Sequence, residues 1–195
     1  EKIHEDPKLG KYTQIIIDQS NKLNLHIEKI LNIAKHDNSP QELNKVDLSI
    51  IPIINNVIEN IQLKYETTSI SIETQFDKYT IIADEFHFIN LVYNLLDNSI
   101  KYCNEKPMIT IKLSHEQGIK KIEFRDNGIG ISTKELSLIF DKFYRSPNSK
   151  DSMVNGLGLG LYYIKKICDL HKWKIQATNN NTKGMTFTIL IPHHD

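Results

Sequence analysis

Apolar and polar side chains recur with a helical spacing between Asn90 and Tyr102. Residues three and four positions apart stack on one side of a helix. One side of this predicted helix gathers the mainly apolar residues Leu91, Val92, Leu95, Leu96, Ser99 and Ile100. The opposite side carries Asn94, Asn98, Lys101 and Tyr102.

Two carboxamides, a lysine and a phenol on one helix face suit the joint binding of a cation and an anion. An amide oxygen is a neutral hard ligand suited to Mg²⁺, which shares its oxygen donors with phosphates. The lysine ammonium supplies a point charge for those phosphates. The alternative is a solvated polar face, and the helix alone does not decide between the two.

Two glycine-rich stretches lie downstream. The first, RDNGIGI at 125–131, follows a strand-like run and places Asp126 at the strand end, where its carboxylate can accept a hydrogen bond from an amine. The second, NGLGLGL at 155–161, precedes a helical pattern, so backbone N–H groups and the positive helix end can face an anion. It is neither a dinucleotide fingerprint nor a Walker loop.

The rest of the chain alternates helical and strand patterns. A helix is predicted from Val46-Asp47-Leu48 to Tyr65, with Asp47 or Ser49 as its cap and Pro52 in its first turns. Strands are predicted at 69–76, 80–83, 108–114, 119–125, 174–178 and 185–191, with a hairpin around Gln117-Gly118. A further helix is predicted at 134–140, and the last helix is predicted from about 161 to 170 within a wider helical range of 157–171. Asp84 is the expected cap of the asparagine-bearing helix.

Upstream, residues 8–35 show an apolar stripe typical of a helix that packs against other helices. The polar stretch 37–45 contains Pro40 and is the predicted linker. A helix that folds back on its own domain is the alternative.

Taken in order, these motifs resemble the catalytic core of sensor histidine kinases, in the ATP-binding superfamily of gyrase, MutL and the heat-shock chaperone ATPases. NLLDNSIKY resembles the asparagine box, DNGIG the first glycine box, and GLGLGL the second. IFDKFYR at 139–145 resembles the phenylalanine box, and GMTFTI at 184–189 the last short motif. The resemblance covers roughly residues 46–192.

The resemblance implies a fold and a division of the chain. The fold is a two-layer α/β sandwich of the Bergerat type, with a mixed sheet and helices on one face, preceded by one long helix of a dimerisation bundle. Residues 1–38 would be the second helix of a dimerisation hairpin, 39–46 a linker, and 47–195 the catalytic ATP-binding domain. Residues 142–155 would form the lid over ATP.

The resemblance also implies roles for single residues. Asp126 would accept a hydrogen bond from the adenine amine, and Asn98 would be the Mg²⁺ ligand. Asn94 would contact a phosphate or a metal-bound water, and Lys101 and Tyr102 would hold phosphate or ribose. Arg145 would reach the γ-phosphate, with surface solvation as the alternative for its side chain. Further nucleotide contacts are expected from Gly128, Gly130, Ile131, Phe143, Gly156, Leu157, Gly158, Leu159, Gly160 and Thr186.

One position separates kinases from hydrolases. Hydrolysing members carry a glutamate where Asn94 stands, and a carboxamide cannot activate water as a base. Asp97 is a carboxylate nearby, but one residue is about 100° off that face. The resemblance therefore implies a protein-histidine kinase, which transfers the γ-phosphate to a histidine for relay to a response regulator aspartate.

The acceptor histidine is expected in a box of the form H-E-x-x-T-P. His4-Glu5-Asp6-Pro7 begins in the same way, but its proline comes too early. His26 and His36 have no such box after them. We therefore expect this chain to lack its phosphoacceptor and the first hairpin helix.

The composition limits the kinds of partner and compartment that we expect for this chain. The 195 residues carry 24 basic and 24 acidic side chains, which argues against a broad nucleic-acid binder. We expect no membrane contact, since an apolar run of about 18 residues is lacking. Cys103 and Cys168 suit a reducing cytoplasm, although the parent protein could be anchored in the inner membrane.

The expected partners are ATP with Mg²⁺, a second kinase subunit and a response regulator receiver domain. An ATPase or serine kinase of the same superfamily, or a regulatory nucleotide-binding module, are the alternatives.

Overall fold

The computed structural model describes Thr13 and residues 43–146 and 157–192. The predicted upstream helix apart from Thr13, the three histidines discussed above and most of the linker lie outside these residues. Except for Thr13, the described residues all belong to the unit Leu43–Asp195.

Seven strands and three helices are present in the described residues. The strands are β1 (Lys45–Ser49), β2 (Ser69–Glu73), β3 (Thr80–Asp84), β4 (Met108–Glu116), β5 (Ile119–Asp126), β6 (Lys174–Asn179) and β7 (Met185–Ile191). The helices are α1 (Ile50–Lys64), α2 (Glu85–Lys101) and α3 (Gly160–Leu170).

The main sheet is mixed, with the order β2-β4-β5-β7-β6. The pair β2 and β4 is parallel, and the other neighbours are antiparallel. Alternate residues of β4 and β7 are buried, so one face of the sheet packs in the core. The three helices cover that face, which confirms the predicted two-layer α/β fold.

The asparagine-bearing helix is well predicted. It begins after Asp84, whose Oδ1 accepts a hydrogen bond from the backbone N–H of His87 at 3.1 Å, as expected of a helix cap. At its other end the backbone N–H of Ile129 donates to the carbonyl oxygen of Tyr102 at 3.0 Å. This bond joins the end of α2 to the glycine-rich loop after β5.

The predicted helix start at Val46–Leu48 is wrong. These residues belong to β1, where Leu48 pairs with Ile81 of β3 and is buried, so pairing with a distant strand overrides the local pattern. The helix begins at Ile50 with Ser49 in the cap position, and in the described residues the Ser49 side chain makes no capping hydrogen bond.

Two other helix predictions need correction. Residues 134–140 form successive turns, with one helical bond from the Ile139 N–H to the Glu135 carbonyl, because so short a segment gains few such bonds. The last helix runs from Gly160 to Leu170, which confirms the narrower predicted range of 161–170, whereas the wider range begins too early at Leu157. Gly158 has a φ of +67°, which a right-handed helix does not accommodate.

Strand predictions differ from the structure mainly at their ends. The first strand of the sheet stops at Glu73, where 69–76 was predicted, and the Phe76 N–H instead donates to Thr74 Oγ1 at 3.1 Å. The hairpin around Gln117-Gly118 is confirmed, and both of its turn residues have positive φ.

Candidate functional site

A cavity of about 110 Å³ lies between the C-terminal half of α2, the loop after β5, the start of α3 and strand β7. Seven of the predicted site residues line it: Asn98, Tyr102, Asp126, Gly128, Gly130, Ile131 and Arg145. Eight further residues line it that the sequence did not single out as ligands: Ser99, Ile129, Ile139, Tyr144, Ser146, Leu161, Met185 and Phe187. Most of the surface that lines the cavity is apolar, as expected for the binding of a flat ring.

Asp126 is the acidic group of this cavity and is 7% exposed. Its Oδ1 accepts hydrogen bonds from the backbone N–H groups of Gly128 and Met185, both at 2.9 Å. The Ser99 hydroxyl donates to Oδ2 at 3.3 Å. Burial raises the pKa of the Asp126 carboxyl, and these three donors counteract part of that effect.

The turn between β6 and β7 holds the end of β5, where Asp126 lies, and the loop that follows it. Asn180 Nδ2 donates to the carbonyl oxygen of Asp126 at 2.8 Å, and Asn180 Oδ1 accepts from Thr186 Oγ1 at 2.6 Å. Asn179 makes two hydrogen bonds with the backbone of Ile131, at 3.0 and 2.6 Å. The asparagine run at 179–181 lies between two predicted strands, and its pairing with the glycine box is a long-range feature.

The start of α3 lies against the asparagine face of α2. A Cβ on Gly160 would be 3.5 Å from Asn94 Oδ1 and 3.7 Å from Asn98 Nδ2. Asn94 is buried, and its Nδ2 donates to the carbonyl oxygen of Asn90 at 2.7 Å. The carboxamides of Asn94 and Asn98 and the start of α3 thus lie together beside the cavity, whose wall includes Asn98 and Leu161.

Other predicted residues lie outside the cavity wall. Lys101 forms an ion pair with Asp97 at 2.5 Å, and Phe143 is 61% exposed. Leu157 is exposed, whereas Leu159 is buried. The Thr186 hydroxyl bonds Asn180, and Gly156 lies outside the described residues.

Glu135 joins the two ends of the segment that contains the phenylalanine box. Its Oε1 accepts hydrogen bonds from the hydroxyls of Tyr144 at 3.0 Å and Ser146 at 2.6 Å, and its Oε2 accepts from the Ser132 hydroxyl. Hydrogen bonds from the Ser132 and Ser146 hydroxyls lower the pKa of Glu135. The sequence signal for this contact is Ser132-x-x-Glu135, which has the capping-box spacing.

The described residues also bear on metal binding and on membrane insertion. They contain no cluster of three or more His, Cys, Asp or Glu side chains able to hold a metal ion. Among the same residues no helix combines the length and the apolar character that crossing a bilayer requires.

Comparison with known proteins gives consistent matches. A family model described as "Histidine kinase-, DNA gyrase B-, and HSP90-like ATPase" matches residues 83–195. The sensor protein RprX of Bacteroides fragilis is 34% identical over 201 residues, covering 96% of this chain. The chain spans 38% of the length of RprX.

Solved structures show the same fold. Full-length ShkA in complex with AMPPNP matches with a TM-score of 0.82 and 18% identity, over 96% of this chain and 39% of that chain. The histidine kinase ThkA in complex with the response regulator TrrA matches with a TM-score of 0.73 and 23% identity, over 99% of this chain and 54% of that chain.

Proposed function

Because this chain belongs to the family of histidine kinase-, DNA gyrase B- and HSP90-like ATPases, we propose that it is the ATP-binding catalytic core of a sensor histidine kinase. In this proposal it binds Mg-ATP and delivers the γ-phosphate to a histidine on another segment. The observation that carries the proposal is the buried Asp126 carboxylate in a largely apolar cavity whose edge is formed by Asn98 and the start of α3.

Asp126 accounts for a preference for adenine. With Oδ1 occupied by two backbone N–H groups, Oδ2 is the oxygen available to accept the exocyclic amine of adenine. Guanine presents a carbonyl oxygen at that position, so two acceptors would face each other. A buried polar group left without a partner costs roughly 1–3 kcal/mol, and more when it is charged.

Asn98, Asn94 and the glycines before α3 account for phosphate and metal binding. The Asn98 carboxamide lies within reach of Gly160, so one amide oxygen can bind Mg²⁺ while the N–H groups at the start of α3 bind phosphate oxygens. Mg²⁺ typically takes one or two protein ligands and completes its shell with water and phosphate, which fits a site without a carboxylate cluster. Bound Mg²⁺ would neutralise charge on the phosphates.

The amide at Asn94 favours transfer of the γ-phosphate to a protein acceptor over hydrolysis of ATP by water. The Asn94 side chain is an amide, buried against the carbonyl oxygen of Asn90, and cannot take a proton from water. Arg145 lines the cavity, where its guanidinium can stabilise charge on the transferred phosphoryl group. Lys101 would have to leave Asp97 to reach a phosphate, which its flexible side chain allows.

The same proposal includes the expected protein partners of this chain. RprX is described as a sensor protein, and ThkA was solved with a response regulator. By analogy, we infer that the parent of this chain acts as a dimer and passes its phosphate to a receiver domain in the cytoplasm. A peptide or domain bearing the acceptor helix would therefore become phosphorylated when mixed with this chain and Mg-ATP.

Calorimetry tests the binding step. The chain should bind ADP and the ATP analogue AMPPNP, with AMPPNP binding strengthened by Mg²⁺, and should bind GDP at least about tenfold more weakly. Asp126→Asn should remove most of the adenine preference, while Glu116→Gln, an exposed change at the end of β4, should leave it intact. Equal affinity for ADP and GDP, or full ADP affinity in the Asp126→Asn variant, would contradict the proposal.

A further inference from the structure

The hydroxyl of Ser99 has an unusual orientation for a helical serine. Within a helix this hydroxyl commonly bonds to the carbonyl oxygen four residues earlier. Here Ser99 is 3% exposed, and its Oγ donates to Oδ2 of Asp126 at 3.3 Å, across the junction between α2 and β5. Ser99 directly follows the predicted metal ligand Asn98, and all three residues line the same cavity.

The acceptor sites of Asp126 can be counted. Each carboxylate oxygen accepts about two hydrogen bonds. Both sites on Oδ1 are taken by the backbone N–H groups of Gly128 and Met185. Ser99 takes one site on Oδ2, so among the described residues one acceptor site of the carboxylate stays available for a ligand.

We propose that Ser99 is a specificity-determining positioning residue that holds the Asp126 carboxylate ionised and turned so that its remaining acceptor site faces the cavity. The adenine part of this inference rests on the function proposed above. A protonated Asp126 would present an O–H donor, which suits the carbonyl oxygen of guanine and not the amine of adenine. Ser99 would thus preserve the choice of base as the pH falls toward the pKa of Asp126.

Other groups near the carboxylate do not replace this donor. The titratable or charged groups among the described residues that line the cavity, besides Asp126, are Tyr102, directly after α2, and Tyr144 and Arg145. On the strands beside it, Asp126 pairs with Ile109 of β4 and bonds Met185 of β7, and neither carries a charge. Burial is the main cause that raises the pKa of Asp126, so loss of the Ser99 donor should raise it further.

The first experiment is a carboxyl ¹³C NMR titration of nucleotide-free protein, with the Asp126 signal assigned from its absence in Asp126→Asn. Ser99→Ala should move the Asp126 midpoint upward by at least about 0.5 pH. Ser137→Ala, an exposed serine removed in the same way, should leave the midpoint unchanged. An unchanged midpoint in Ser99→Ala would overturn the inference.

The second experiment measures ADP and GDP affinity at about pH 5.5 and about pH 7.5. In Ser99→Ala the ADP-to-GDP affinity ratio should fall roughly three- to tenfold further at the lower pH than in the wild type. An equal change at both pH values would indicate a purely structural role and overturn the inference. If the alanine variant does not fold, Ser99→Cys replaces it, because a thiol of similar size is a weak donor and should shift both measurements in the same direction.

The two experiments separate the inference from the proposed function. The titration needs no nucleotide, so it reports on Ser99 and Asp126 alone. A wild-type chain that fails to bind ADP would overturn the proposed function, even if the titration midpoint moves as expected.

Discussion

The side-chain amide of Asn180 lies against the backbone of Asp126, with its Nδ2 donating to the Asp126 carbonyl oxygen at 2.8 Å. The same carboxamide accepts a hydrogen bond from Thr186 Oγ1 at 2.6 Å. Asn180 therefore links the end of β5 to β7 behind the cavity, while the Asp126 side chain faces forward into it. Residues of the last hairpin thus support an acid that lies 54 positions earlier in the chain.

Asn180→Ala should weaken adenine-nucleotide binding without removing any group that touches the ligand. The Asp126 carbonyl and the Thr186 hydroxyl would each lose a partner, so the free energy of unfolding should fall by about 1–3 kcal/mol and nucleotide affinity by a few-fold. Urea denaturation and calorimetry measure the two effects. Asn181→Ala, an exposed neighbour in the same turn, is the control and should leave both unchanged. Full affinity in Asn180→Ala would show that Asp126 needs no such support.

Gly184→Ala should be strongly destabilising. Gly184 has a φ of +86°, and a Cβ there would come within 2.1 Å of the Asp126 carbonyl oxygen. Backbone atoms cannot rotate away as a flexible side chain can, so we expect a loss of at least about 3 kcal/mol in the free energy of unfolding. The end of β5, where Asp126 lies, would also be displaced, and nucleotide affinity should therefore fall.

Gly118→Ala is the matched control for Gly184→Ala. Gly118 has nearly the same φ, +79°, but a Cβ there would meet no atom within 4 Å. It should cost only the backbone strain, about 1 kcal/mol, and leave nucleotide affinity unchanged. Equal losses in the two variants by urea denaturation would contradict the steric explanation.

The sequence predicted most where local pattern and final environment agree. The helical period between Asn90 and Tyr102 and the turn pair Gln117-Gly118 are local signals, and both elements are present where expected. The strand at Val46–Leu48 was missed because its partner, β3, lies more than thirty residues away in the chain. Local propensity says little about such pairing.

In the candidate site, too, the features with a local sequence signal were predicted and the long-range contacts were not. Seven predicted residues line the cavity because the motifs place them at the end of α2, at the end of β5 with the glycine-rich loop after it, and in the phenylalanine box. Ser99 was assigned to the apolar side of α2, although its hydroxyl reaches Asp126 across 27 positions of sequence. Such contacts between a helix and a distant strand end depend on tertiary packing and leave no periodic signal in either segment.

Stability should depend on pH through His171. Its Nε2 accepts a hydrogen bond from the Asp84 backbone N–H at 3.0 Å, and its Nδ1 donates to the Ile167 carbonyl at 2.8 Å, so the folded protein needs the neutral ring. Burial lowers the pKa of His171 below its ordinary value of 6.5, and the neighbouring charged groups are Lys45, Asp84 and His87. Burial likewise lowers the pKa of His87.

The direction of this pH dependence follows from the difference in proton binding between the unfolded and the folded protein. Below pH 6.5 the unfolded chain takes up protons that folded His171 resists, so the free energy of unfolding should decrease as pH falls from about 7.5 to about 5.5. The decrease should be smaller in His171→Gln, measured by urea denaturation at each pH. His115→Gln, which changes an exposed histidine on β4, should keep the wild-type dependence. Identical pH dependence in His171→Gln and the wild type would contradict this role.

The Asn94→Glu variant should hydrolyse ATP faster than the wild type does. Asn94 lies beside Gly160, one helical turn before Asn98 of the cavity wall, and a carboxylate there could accept a proton from water, which the amide cannot. A steady-state phosphate-release assay should show slow ATP hydrolysis by the wild type and at least about tenfold faster hydrolysis by Asn94→Glu. Asn90→Glu adds the same charge one turn earlier on α2, where the side chain is half-buried, and should keep the slow rate. If the wild type instead hydrolyses ATP rapidly and Asn94→Ala abolishes that rate, the amide is part of a hydrolytic site and the kinase assignment fails.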